Sequence, residues 1–246
     1  MMSAPAYATY IVLASSLSIL VVLLMGLRLA VARAGWNDTE RVATLRTATA
    51  LFILWYALAL VLSLAGVFRA AANRLPTIEF GIFVPIIIGS VLLWRSATVR
   101  RLVDAVPQSW LVGFQVYRVI GVIFLLLLGD GLFPSVVALP AGGGDVAVGL
   151  LAPIVAYAYA RGVAARDALV RTWNYLGLLD LAVAVTLAFL SSPSPFQMLS
   201  LDAPNKLISV YPLVMVPVFA VPLAVILHLA SLVKMARTSK LRFLKT

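Results

Sequence analysis

Arg118, Asp180 and His228 are ionisable side chains set in long apolar stretches that carry no other charged group. At membrane depth such a group is costly, and its presence marks a candidate site. Arg118 lies eight residues after Trp110, Asp180 seven after Trp173, and His228 six before Lys234. At 1.5 Å of helical rise per residue, all three fall at about 9–12 Å from one boundary, so contact among them is possible.

Arg118 and Asp180 make the natural ion pair, because an unpaired charge at that depth costs several kcal/mol. Two roles are open to it. The pair is either a clamp between two helices or part of an anion site. In the second case Arg118 offers paired donors to a carboxylate or phosphate. Gln115, one turn earlier, and Tyr117 alongside would add further donors. His228 is the only histidine. It is either a satisfied structural group or a proton-relay partner of Asp180, since imidazole titrates near neutral pH. One histidine cannot supply both axial ligands of a haem, and with Asp180 it makes too few ligands for a metal. No cofactor is implied. The chain has no Cys, which excludes disulfides and thiolate metal sites.

A second acidic set, Glu79, Asp130, Asp145 and Asp202, sits near the opposite ends of the apolar stretches. Asp145 is expected to cap the helix that follows it, favoured by the positive helix N-terminus. The set as a whole would form an acidic vestibule attracting cations. Gly142 to Gly144 is not a phosphate loop, having no preceding strand and no following Lys-Ser/Thr.

The elements that must position these groups are membrane helices. The chain is 63% hydrophobic and 11% charged over 246 residues, with a mean hydropathy of +1.07. A soluble core cannot cover so much apolar surface, whereas a bilayer uses about 20 apolar residues per crossing. Seven spans are expected at roughly 7–30, 48–67, 80–94, 110–128, 146–160, 173–190 and 207–233. They form one all-α transmembrane bundle with no room for a soluble domain. The N-terminus has no cation before Arg28, so the first span is expected to be retained rather than cleaved as a signal peptide.

Cations set the expected orientation. Arg28, Arg33, Arg41 and Arg46 flank the first connection. Arg95, Arg100 and Arg101 follow the third span, and Arg161, Arg166 and Arg171 follow the fifth. Lys234, Arg237, Lys240, Arg242 and Lys245 end the chain, whereas the opposite side holds only Arg69, Arg74 and Lys206. That bias predicts an outer N-terminus and a cytoplasmic C-terminus. Trp36, Trp94, Trp110 and Trp173 fall at the same inner boundary, where indoles favour the interface. The net charge of +10 is explained by this flanking, and no basic stripe interleaved with aromatics suggests nucleic acid.

Four further expectations concern packing. Spans three and five read as short, with uncharged cores of about 22 Å. Gly149, Ala152, Ala156 and Ala160 form a small-residue stripe that would make span five central. Pro212, Pro217 and Pro222 should bend or unwind the outer half of span seven, freeing carbonyls for a ligand path. Residues 97–106 read as a surface helix anchored at the interface.

Seven spans match rhodopsins in number, but the internal lysine of a retinal site is missing from span seven. The segments Pro107-Gln-Ser-Trp110, Gln115-Val-Tyr-Arg118, Phe133-Pro134, Ala138-Leu-Pro-Ala-Gly142 and Gly144-Asp145 resemble a stretch of uncharacterised bacterial multi-pass membrane proteins. That resemblance implies a bacterial cytoplasmic (inner) membrane and no particular activity. No protease, zinc or nucleophile-elbow motif is present. The expected function is a small transporter or ligand-binding membrane protein with its polar site in the cytoplasmic half of the bundle. The alternative is a non-catalytic accessory subunit of a larger membrane complex. The expected partners are the lipid bilayer, a small-molecule or ion ligand, and other membrane proteins or further copies of the chain.

Overall fold

In a bilayer every backbone N–H and C=O must be satisfied within the chain, so apolar segments of this length become helices. The computed structural model describes residues 4–243, with side chains through Ser239. The expected tail cations Lys240, Arg242 and Lys245 have side chains outside that range. Among the described residues the chain is all-α, with eight helices, seven of them long and apolar enough to span a membrane. They are α1 (Ala6–Arg33), α2 (Asp38–Leu64), α3 (Ile78–Arg95), α5 (Gln108–Gly129), α6 (Ser135–Ala160), α7 (Arg166–Ser191) and α8 (Val216–Ser239). The eighth helix is the surface segment α4 (Ala97–Ala105).

The helices run longer than the apolar cores alone suggest. α2 starts at Asp38 because Asn37 and Glu40 form a reciprocal capping box. The Asn37 side chain accepts from Glu40 N at 2.9 Å, and the Glu40 carboxylate accepts from Asn37 N at 3.2 Å. The largest departure is α6. The Gly- and Pro-rich residues before Val146 do not form a connection but the first turns of the helix, so span five is not short. A wide π turn at Ala138–Gly142 absorbs Pro140, whose missing N–H breaks the regular ladder.

A second π turn, at Val216–Ala220, contains Pro217 and opens α8. Pro222 follows in the first regular turn, and Pro212 lies before the span altogether. The outer half of the expected span 207–233 is thus unwound, and the regular helix starts only at Val221. The middle of α5, Phe114–Gly121, is wound as a 3₁₀ helix, an unusually long run for that geometry.

α8 is the centre of the bundle, with 72% of its apolar window buried against 44% for α6 and 17% for α2. Span five, expected to be central, is the third most buried of the seven. α6 instead packs closely along α5, and α3 and α7 each lie on α8. Close approach is built into the sequence: a Cβ at Gly81 would meet Val218 at 2.7 Å, and one at Gly89 would meet Ile226 at 2.5 Å. α1 and α2 pair with each other at the edge.

Trp94 and Trp110 are exposed at helix ends, and Arg33 and Arg101 lie over the Trp110 and Trp36 rings at 4.5 and 5.2 Å. Trp173 is different. It is 5% exposed and stacks in the interior, so it is not an interface anchor.

Candidate functional site

The structure brings Arg118, Asp180 and His228 together midway along α5, α7 and α8. It adds a fourth member, Asp145 of α6. Because α6 begins at Ser135, Asp145 stands about 15 Å along the span instead of at its cap. It is 6% exposed and Arg118 only 2%.

Arg118 is saturated. Its Nε donates to Asp145 Oδ1 at 2.8 Å, and Nη2 lies 2.7 Å from the same oxygen. Nη2 also donates to Asp180 Oδ2. Nη1 has acceptors in Gly177 O and His228 Nε2, each at 3.3 Å. Arg118 thus makes four hydrogen bonds and two ion pairs within the protein, which leaves it little capacity for an external anion. Two carboxylates face one guanidinium, so the cluster carries one formal negative charge in excess when His228 is neutral.

The neutral form of His228 follows from its partners. Nε2 accepts from Arg118, so Nδ1 carries the proton and donates to Asn174 Oδ1 at 2.9 Å. Asn174 is oriented in turn, donating through Nδ2 to Val170 O and to Ser231 Oγ at 2.8 Å. Gln108 Nε2 reaches the same Ser231 Oγ at 2.5 Å. A continuous polar chain thus runs from the first residue of α5 to the cluster. It is enclosed by Trp173, whose ring lies 5.0 Å from that of His228, and by Val112, Val155, Val170 and Met235.

Glycines make room for these groups. A Cβ at Gly144 would overlap Asp180 Oδ1, and one at Gly121 would overlap Asp145 Cβ. At Gly177 it would lie 2.5 Å from the His228 ring, and at Gly149 2.7 Å from Val119 N. Four charged or polar side chains fit between four helices because glycine faces them.

The remaining expected residues go elsewhere. Gln115 donates to Ala224 O at 3.0 Å and Tyr117 to Ala220 O at 2.9 Å, so both fasten α5 to the α8 backbone instead of joining Arg118. Asp130 accepts from Tyr7 at 2.5 Å, a latch between the end of α5 and the start of α1. Asp202 is exposed in the connection before α8. Glu79 lines a crevice on the face bearing the N-terminus.

That crevice forms because α3 and α7 both pack on α8 and leave a gap between them. It encloses about 50 Å³. Phe68, Phe124 and Phe189 are among its walls, Glu79 stands near the outer end, and Asp145 forms its floor. Asp145 spends only Oδ1 on Arg118, and Oδ2 accepts no hydrogen bond among the described residues. Among those residues no three His, Asp or Glu are grouped to hold a metal ion.

Sequence reasoning missed Asn174, Ser231, Gln108 and the glycines. A signal was present in the spacing Asn174-x-x-Gly177-x-x-Asp180, which places a polar, a small and an acidic residue on one helical stripe. Arg118-x-x-Gly121 repeats the pattern on α5.

Seven apolar helices around a buried, glycine-packed charge cluster define a multi-pass membrane protein. The chain belongs to the family described as a domain of unknown function (DUF8737), which matches residues 75–236 and so includes every member of the cluster. No curated protein and no solved structure matches it.

Proposed function

We propose that the protein is a small transporter or ligand-binding membrane protein whose working site is the Arg118–Asp145–Asp180–His228 cluster. The observation that carries this reading is Asp145. One of its oxygens is held by Arg118 and the other is unpartnered at the floor of a crevice open toward one face. Toward the opposite face the cluster is closed by the Gln108–Ser231–Asn174–His228 chain and its apolar surround. One open side and one sealed side is the arrangement that alternating access requires. The excess negative charge selects a proton or a cation as occupant, since an uncompensated charge at this depth costs several kcal/mol. The cation bias of the connections supports an outer crevice and a cytoplasmic C-terminus, and the resemblance to bacterial multi-pass proteins supports a bacterial cytoplasmic membrane.

The test is cation or proton movement in liposomes holding a pH-sensitive dye, under an imposed potential. Asp145→Asn and Asp180→Asn should abolish flux seen with the parent chain. Parent-like flux in Asp145→Asn would reject the site.

A second reading, an accessory subunit with the cluster as a clamp, is favoured by the full engagement of Arg118. It predicts that Arg118→Gln and Asp180→Asn each lose folded yield, that the double variant regains it, and that a larger complex co-purifies. No flux would be seen at all.

A further inference from the structure

The crevice has a polarity that narrows the choice of occupant. Its walls are apolar, and its only charged lining groups are Glu79 and Asp145, both acidic. Asp145 lines the space, is more than nine-tenths buried, and has an Oδ2 that Arg118 does not use. An inorganic cation needs several oxygen ligands to replace its water. Beyond the two carboxylates the walls offer only Ser192 and Ser209, the second of which is already bonded to Lys206 O and Ala70 N. An ammonium head needs fewer acceptors, and its bulk is close to that of a water molecule. The space of about 50 Å³ admits such a head, whereas a quaternary cation has no N–H to donate to Asp145. The gap between α3 and α7 leaves room for an apolar tail, flanked by phenylalanine rings that favour both the tail and the cation.

We infer that the crevice binds a single-chain primary ammonium amphiphile, its head on Asp145 Oδ2 and its tail between α3 and α7. Glu79, near the outer end of the crevice, attracts the head before it reaches Asp145. The inference rests on the reading of Asp145 as the working carboxylate, but adds a class of ligand to it.

The experiment is calorimetric titration of the protein in lipid nanodiscs with octylammonium, octanol and tetraphenylphosphonium. Octylammonium should bind saturably, octanol about tenfold or more weakly for want of the charged contact, and tetraphenylphosphonium not at all. Glu79→Gln should weaken octylammonium binding by a few fold. Ala184→Phe, which fills the crevice wall, should remove it, with folding followed by the melting temperature. Equal binding of octanol and octylammonium would overturn the inference, as would undiminished binding in Ala184→Phe or no saturable binding at all. The octanol comparison uses the parent protein and stands even if a variant fails to fold. If octylammonium does not bind but Asp145→Asn still abolishes proton flux, the ligand class fails and the site survives.

Discussion

The two halves of the bundle solve the same problem in opposite ways. From the cluster toward the C-terminal face, the polar groups along Gln108, Ser231, Asn174 and His228 are tied into one chain, and apolar side chains close around them. Toward the N-terminal face the apolar walls part, and Oδ2 of Asp145 accepts no hydrogen bond among the described residues. A saturated network rigidifies its surroundings. An unsatisfied group in a cleft is where a protein stores the capacity to bind. The contrast separates the structural half of the site from the half that can act.

The largest effect should come from breaking the boundary between the halves. Arg118→Met leaves Asp145 and Asp180 without their counter-ion and should cost about 3–5 kcal/mol, read as lost folded yield and melting temperature in detergent. A parent-like melting curve would mean that the cluster is hydrated. Gly144→Ala and Gly177→Ala press a methyl group on Asp180 and His228, and each should cost about 1–3 kcal/mol. His228→Phe keeps the ring but leaves Arg118 Nη1 and Asn174 Oδ1 one partner short, again about 1–3 kcal/mol by thermal melting. Glu79→Gln, in the open half, should change stability by no more than about 0.5 kcal/mol. A larger loss there would erase the distinction between the halves. The chain has no Cys, so single cysteines at Asp202 and Thr238 can be probed with an impermeant thiol reagent in intact cells. Labelling at Asp202 alone would place the crevice outside.

Much of the frame was legible because the apolar runs between charges are long and the hydrocarbon core has a fixed thickness. The clustering of Arg118, Asp180 and His228 was foreshadowed by their similar depths. The helices begin with charged or Gly- and Pro-rich turns that an apolar count ignores, and those turns put the cluster at mid-helix. Asp145 shows the cost of that omission. In water Gly142-Gly-Gly144 would read as a loop. Where backbone groups cannot bond to water the helix continues through them, and the glycines are used for contact with Asp180 and Leu125. Nor could hydropathy reveal that Gln115 and Tyr117 turn toward α8, because their direction depends on the 3₁₀ winding of α5. The prolines of span seven did announce its unwound outer half, although not that the regular helix starts as late as Val221.

The surface helix α4 has a mechanical consequence. It is spliced to α3 by Ser96 alone and to α5 by Val106-Pro107, and one residue of chain spans less than 4 Å. Lys234 of α8 donates to the carbonyls of Val103, Asp104 and Val106, and Arg237 pairs with Asp104 at 2.8 Å. On its other side Arg101 donates to Ala34 and Gly35 at the end of α1. These links have no slack. The C-terminal ends of α1, α3 and α8 and the start of α5 are girdled by a single short collar. Any tilt of α8 is therefore a pivot about that collar, with its swing greatest at the far end, where Val216, Pro217 and Val221 border the crevice.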